Sequence, residues 1–389
     1  MAPERKDKES DEKNKRLKTL MILSNPLMVD PRVYKEAKAL IDEGNEVTVI
    51  VWDRHNEYES ESVVDGIKVI RIHNDRLMKI LPHDLFREPV WWRAAYKKAL
   101  ELYKGGYKFD VVHCHDLDTL QVGVWLKKKL GIKLVYDAHE IFGYMIEENY
   151  PEIVSRYALN MEQHLLKWVD HIITVDEPFK EYFSSITDTP ITIVMNCKNL
   201  VYNTFEPPHN EIFTLVYVGI MTRSRFFPDI IDVIGKLDGV RLLLAGKKEG
   251  LYFKMEEYSK KYENIKFLGT IPLKEILPLT RKANATFVIV EPTSKQHQMT
   301  VFNKQFEAMV CGRPIIVTKG TYAAKMTEEL KCGLTVDYNK KSVREAIITL
   351  RDNSKLCEEL GKNAFKAAKE RYNWDMEKKK LLEVYNEIL

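Results

Sequence analysis

The densest run of residues able to do chemistry is EPTSKQHQMTVFNKQFEAMVCGRPIIV, 291–317. A strand-like stretch ends at Val290 and a polar loop follows. A helix is expected to start near Val301 or Phe302 and to end at Gly312, with Pro314 leading into the next strand. Asn303, Lys304 and Glu307 stand at i, i+1 and i+4, so Asn303 and Lys304 both lie beside Glu307 on one side of that helix. Free N–H groups at the helix start, with Lys304 alongside, form an anion site suited to phosphate. Glu307 lies roughly 5 Å further along the axis, where a carboxylate can accept two hydrogen bonds from ribose hydroxyls. The alternative is a surface Lys–Glu pair worth only about 0.3–0.5 kcal/mol.

Other candidates sit directly after strand-like runs. In VGIMTRSRFFPDII, Gly219 leaves room for a ligand against the backbone, and Arg223 and Arg225 follow. Two guanidinium groups there suit a diphosphate; otherwise they are solvated loop arginines. In SNPLMVDPRVYK, Asp30 can N-cap a helix opened by Pro31. Asp30 and Arg32 are either capping and surface residues or line a cleft. In HCHDLDTL, His113 and His115 are taken to face opposite sides of a strand, and so to be poorly placed as a metal pair. His115 is the better cleft candidate, and Asp116 or Asp118 can cap the next helix. In DAHEIFGYM, Asp137, His139 and Glu140 follow a buried strand, a position that reads as site. A histidine there can hydrogen-bond a sugar hydroxyl or move a proton near neutral pH.

The elements that must hold these residues follow from periodicity. Short Val/Ile-rich runs at 19–24, 46–52, 67–73, 109–114, 132–138, 171–175 and 191–195 alternate with helical stretches such as 31–43, 89–104, 117–129 and 151–169. Near-continuous apolar runs of this length suit strands covered on both faces. The rhythm pauses at 197–212, which holds Pro207-Pro208, then resumes with strands at 213–219, 240–246, 265–269, 285–290 and 314–318. Helices are expected near 228–237, 251–261, 273–281, 302–311 and 321–331, and helices alone from 340. The fold class is α/β: two doubly wound, Rossmann-like parallel-sheet domains facing a cleft. The expected layout is a disordered tail at 1–18, an N-terminal domain at 19–198 and a linker at 199–212. A C-terminal domain at 213–372 and a C-terminal helix at 373–389, packing near or across the junction, complete it.

Composition narrows the function. The chain has 389 residues with 60 Lys+Arg against 57 Asp+Glu, a balance unlike that of nucleic-acid coats, so no nucleic-acid partner is expected. Neither GxGxxG nor GxxxxGK[ST] occurs, which argues against a Rossmann dehydrogenase and a P-loop NTPase. Five cysteines without a CxxC pair suit buried thiols in a reducing cytoplasm, not a structural zinc site. Neither a signal peptide nor a membrane span is expected.

Taken together, SNPLMVDPRVYKEAKALIDEGNEVTVI, DVVHCHDLDTLQ, LVYDAHE, FNKQFEAMVCGRPIIV and the final ERYNW resemble the retaining GT-B glycosyltransferases, specifically glycosyltransferase family 4 and its NK-x-x-E branch. The resemblance runs from about residue 19 to 389. It implies that Glu307 is the second carboxylate of the family's E-x7-E motif, holding the nucleotide ribose. Arg225, with Arg223 or Lys304, is implied to neutralise the diphosphate, and His139 to stand near the transferred sugar. It further implies a nucleoside diphosphate sugar donor, a glycan or lipid-linked acceptor on the side of Asp30, Arg32, His115 and Asp118, and no metal or other cofactor. Three positions depart from the pattern: Met299 replaces the first glutamate, Ile220 the usual arginine after the glycine, and NPLMVDPR the Gly-Gly loop.

Residues 76–108 carry eight basic and three acidic residues with six aromatics. Such a stretch either docks peripherally on an anionic inner-membrane surface or packs its aromatics inside as an ordinary helix. The function expected is sugar transfer in polysaccharide or glycoconjugate biosynthesis. A sugar-nucleotide epimerase or phosphorylase of the same fold, and a catalytically silent nucleotide-sugar binding protein, are the alternatives.

Overall fold

The apolar runs form strands, and the polar punctuation between them forms the turns. The structure is a computed structural model, and it describes residues 16–81, 84–147 and 150–388. The tail expected at 1–18 lies outside the described residues as far as residue 15, and Lys18 already begins a strand. The chain divides into two units, one ending at Val194 and resuming at Lys378, the other spanning Met195–Glu377.

The first unit holds β1 (Lys18–Leu23), β2 (Glu46–Asp53), β3 (Glu61–Val64), β4 (Ile67–His73), β5 (Val111–His115), β6 (Lys133–Ala138), β7 (His171–Thr174) and β8 (Ile191–Ile193). They make one sheet in the order β3-β4-β2-β1-β5-β6-β7-β8. Only β3 runs antiparallel, against β4. The chain moves outward from β1 to β2 and β4, then returns to β5 on the other side. The switch point therefore lies between β1 and β5, and ligands of such sheets bind beyond the strand ends there. Helices α1 (Pro31–Asp42), α2 (Arg76–Ile80), α3 (Asp84–Lys104), α4 (Leu117–Leu130), α5 (Phe142–Ile146), α6 (Glu152–Leu166) and α7 (Glu177–Ser184) connect the strands. Trp52 of β2 and Trp91 of α3 are both fully buried and stack with ring centroids 5.5 Å apart.

The second unit repeats the plan with β9 (Phe213–Val218), β10 (Val240–Ala245), β11 (Ile265–Gly269), β12 (Ala285–Val288), β13 (Ile315–Thr318) and β14 (Gly333–Val336). Their order is β11-β10-β9-β12-β13-β14, all parallel, with the switch point between β9 and β12. Its helices are α8 (Asp229–Gly235), α9 (Tyr252–Ser259), α10 (Leu273–Lys282), α11 (Lys295–Met299), α12 (Asn303–Cys311), α13 (Tyr322–Glu329), α14 (Lys340–Asp352) and α15 (Ser354–Glu370). In the last helix, α16 (Trp374–Glu387), residues from Lys378 onward are counted with the first unit.

Two strands, β3 and β14, go beyond the sequence expectation. Both are sheet edges and only partly buried, so neither shows a continuous apolar run. Helix α3 begins at Asp84 and carries Pro89 inside it, five residues ahead of its expected start. No helix or strand falls in 199–212. The five cysteines are free and buried. Among the described residues no helix is long and apolar enough to cross a membrane.

Candidate functional site

In the first unit the polar residues after β5 and β6 form one buried network with the start of α1. Asp30 caps α1, its Oδ1 accepting the backbone N–H of Arg32 (3.1 Å) and Val33 (3.2 Å). Arg32 turns inward and is only 2% exposed. Its Nε and Nη2 donate to the two oxygens of Asp137 at 3.0 and 2.7 Å, and Nη1 donates to the carbonyl of Val194 at 2.7 Å. Glu36, one turn along α1, stands 3.1 Å from Arg32 Nε. This fork-on-carboxylate geometry is the strong form of an ion pair.

The expectation that His113 and His115 face opposite sides is corrected. Residues two apart on a strand share a face, and the two rings stack with centroids 4.4 Å apart. His113 Nδ1 meets the Tyr385 hydroxyl at 2.8 Å, and His115 Nδ1 meets Asp137 at 3.1 Å. Glu36, His113, His115 and Asp137 bring donor atoms within 4.8 Å of one another. Both carboxylates already pair with the Arg32 guanidinium. Arg32 and His115, expected on the acceptor side, are thus inside the network, and His115 is fully buried.

Asp116 also departs from expectation. It precedes α4, yet its side chain makes no cap. Its backbone sits at φ 61° and ψ 166°, a region costing a non-glycine residue about 1–3 kcal/mol. The turn is held by its own N–H donating to the Asp137 carbonyl at 2.9 Å. The result aims its carboxylate at His139: Oδ1 accepts the His139 backbone N–H at 3.0 Å, and Oδ2 lies 3.2 Å from Nδ1. His139 Nε2 meets Asp137 at 2.7 Å. Side-chain exposure falls from 30% at Asp116 through 15% at His139 to 0% at Asp137.

The electrostatics follow from this packing. Burial alone would lower the His139 pKa, but Asp116 and Asp137 outweigh it and hold the imidazole well above its usual value. Burial likewise works against ionised Asp137, but Arg32 and then His139 hold it well below the usual carboxylate range. Glu36 is pushed up by burial to about 8, Arg32 opposing only in part. Asp118, in the first turn of α4, is raised by burial and by Asp116 to about 6, and its Oδ1 is buried without a hydrogen-bond partner.

The second unit gathers its candidates at the β9/β12 switch point. Lys304, in the first turn of α12, lays its ammonium 4.3 Å from the centre of the Tyr217 ring on β9. A Cβ at Gly219 would stand 2.5 Å from that ammonium, so glycine is what lets Lys304 reach the strand end. Glu307 follows on α12, 8% exposed, and Gly312 closes the helix at φ 64°. Arg225 sits in a short turn (Arg223–Arg225), its guanidinium carbon 6.0 Å from the Phe302 ring. The Ser224 carbonyl accepts the N–H of Glu291 at 2.7 Å, which ties that turn to the loop after β12. Arg223 is exposed, and its carbonyl accepts the Tyr338 hydroxyl at 2.9 Å.

Gly219, Asn303, Lys304 and Glu307 are therefore neighbours, with Arg225 flanking the helix start. Sequence reasoning missed Lys198, whose ammonium lies 3.3 Å from Glu307 and 3.1 Å from the Asn303 side-chain oxygen. It belongs to the polar stretch after β8, and no periodic signal marks it. Glu36 was missed too, because a carboxylate inside an amphipathic helix looks like surface.

Residues 31–200 match the family described as Glycosyltransferase Family 4, and residues 213–353 the family described as Glycosyl transferases group 1. A curated relative, the uncharacterized glycosyltransferase MJ1607 of Methanocaldococcus jannaschii, is 23% identical over 382 residues, covering 90% of this chain and 91% of that protein. Among solved structures, sucrose-phosphate synthase (tll1590) from Thermosynechococcus elongatus superposes with a TM-score of 0.79 at 16% identity, covering 96% of this chain and 99% of that one. Anabaena Alr3699/HepE, solved in complex with UDP-glucose, gives 0.70 at 15% identity over 95% of this chain and 99% of that one. Two glycosyltransferase families matched in succession, one on each parallel-sheet unit, make the chain a glycosyltransferase of the GT-B fold and of the family 4-like type.

Proposed function

We propose that this glycosyltransferase moves a sugar from a nucleoside diphosphate sugar to a hydroxyl of a glycan or lipid-linked acceptor, with retention of anomeric configuration. The observation that carries the donor class is the grouping of Lys304, Asn303 and Glu307 against Gly219 at a strand end. On this reading the diphosphate lies at the start of α12, beside Lys304 and Arg225, with Arg223 in the adjoining turn. Glu307 takes two ribose hydroxyls, exchanging its contact with Lys198 for them. The UDP-glucose bound by HepE, a neighbour in fold, is of the same donor class.

In the reaction the bond from the sugar's anomeric carbon to the diphosphate oxygen breaks, and a bond to the acceptor oxygen forms on the same face. The acceptor proton passes to the departing diphosphate. Charge builds on that diphosphate, where Arg223, Arg225, Lys304 and the helix N–H groups stabilise it. These cations do the work a metal would otherwise do. The first unit contributes His139 toward the sugar, with Asp30 and Asp118 on the acceptor side.

Of the basic stretch 76–108, Trp91 points into the core and Trp92 donates its indole N–H to the Asp118 carbonyl. Among the described residues, Leu77, Ile80 and Phe86 are the exposed apolar ones, with Arg76, Lys79, Arg93 and Lys97 exposed nearby. Contact with an anionic membrane at its cytoplasmic face is proposed through these residues.

The test is incubation with a panel of labelled sugar nucleotides, following nucleoside diphosphate release with and without acceptor and the anomeric configuration of the product by NMR. Acceptor-dependent release is expected. An inverted product refutes retention, conversion into another sugar nucleotide points to an epimerase, and binding without turnover points to a silent binding protein.

A further inference from the structure

Both ring nitrogens of His139 are already engaged by carboxylates, Nδ1 by Asp116 and Nε2 by Asp137. A histidine so held has no free lone pair with which to take a proton. The outermost polar group of this network is instead the Asp116 carboxylate, the most exposed of the three side chains. Each of its oxygens receives one hydrogen bond from His139, and each carboxylate oxygen can accept two. Asp116 also occupies a backbone conformation that non-glycine residues rarely adopt, and its side chain leaves the α4 cap unmade in order to face His139. A cap needs neither that strain nor that direction.

We propose that Asp116 is the group with which the first unit binds a carbohydrate hydroxyl, and that His139 is a positioning residue that pins and charge-balances it through its backbone N–H and its Nδ1–H. This rests on the sugar-transfer reading above and changes the role of His139 within it. The groups around the imidazole are Asp116 and Asp118 after β5, His113 and His115 on β5, Asp137 on β6, and Arg32 and Glu36 on α1. Of these, only Asp116 and Asp137 reach its nitrogens within hydrogen-bond distance. Removing Asp116 therefore frees Nδ1 while leaving the contact between Nε2 and Asp137.

The experiment combines nitrogen-15 imidazole NMR with kinetics on the full chain, using Asp116→Asn and Asp116→Gly. In the wild type both His139 nitrogens should carry protons at pH 7–8. One bare, proton-accepting nitrogen there overturns the proposal. Asp116→Gly suits the left-handed backbone and so guards against a variant that merely misfolds. Both variants should lose about 10- to 100-fold in transfer, the size of one charge-assisted hydrogen bond. If the hydroxyl belongs to the acceptor, acceptor KM rises and donor KM does not. If it belongs to the donor sugar, donor KM rises instead. Wild-type transfer in both variants refutes Asp116 as the hydroxyl group. A wild-type protein that turns over no donor sinks the sugar-transfer reading, and with it the assigned hydroxyl; the NMR arm still decides the clamp.

Discussion

Replacing Arg32 by Met removes the cation from the buried network while keeping the length of the side chain. In the native protein Arg32 makes two hydrogen bonds to Asp137 and one to the Val194 carbonyl, and it lies within 3.1 Å of Glu36. In the variant two fully buried carboxyl groups face each other without it. Breaking a buried pair by removing one partner costs about 3–5 kcal/mol. Asp137 keeps His115 and His139, which favours the lower end. For a unit of about two hundred residues that corresponds to a loss of roughly 6–20 °C in melting temperature. Differential scanning calorimetry should show the transition of the first unit falling while that of the second holds. Arg32→Lys, which keeps the charge but not the fork, should fall in between. An Arg32→Met protein within 1 kcal/mol of wild type, with a raised acceptor KM, would refute the reasoning and make Arg32 a substrate-facing residue.

The pH dependence of stability has a definite sign. Burial raises Glu36 to about 8 and Glu162 to about 7, so both keep protons in the folded state that the unfolded chain has released above pH 6.5. His139, held above its usual value, acts in the same direction. The melting temperature of the first unit should therefore fall from pH 6.5 to 8.5, and Glu36→Gln with Glu162→Gln should flatten the fall; a rise in the wild type contradicts it. Glu307→Ala or Arg225→Ala should cut transfer by about 100-fold or more, with little change in melting temperature; wild-type turnover in either would sink the donor-site assignment. Gly219→Ala puts a methyl group where the Lys304 ammonium rests, at a backbone φ of 159° that L residues rarely adopt, so donor KM should rise by about tenfold or more along with some loss of melting temperature, and an unchanged KM would separate Lys304 from the donor. Flotation with anionic vesicles should weaken when Leu77, Ile80 and Phe86 are replaced by Ser, and unaltered flotation would remove the membrane contact.

Much of the fold is legible because it is local. Strands such as β2 and helices such as α12 declare themselves by period and by their Pro and Gly boundaries. The grouping on α12 is legible for the same reason, since the helix itself sets the spacing of Asn303, Lys304 and Glu307. Edge strands β3 and β14 escape because half-exposed strands lack the apolar run.

The sequence by itself determined two α/β halves, the polar residues that follow the buried strands, and the helix face that carries Lys304 and Glu307. Tertiary structure alone decided the rest of the site. Parallel pairing sets His115 beside Asp137, 22 positions apart in the chain, and α1 returns Arg32 and Glu36 to the same strand ends. It also decided that Asp116 faces His139 instead of capping α4, and that Lys198 holds Glu307. Spacing along a chain reports neighbours within one element. Which elements lie side by side depends on burial of faces that every strand shares, so partners drawn from different strands become visible only once the sheet order is known.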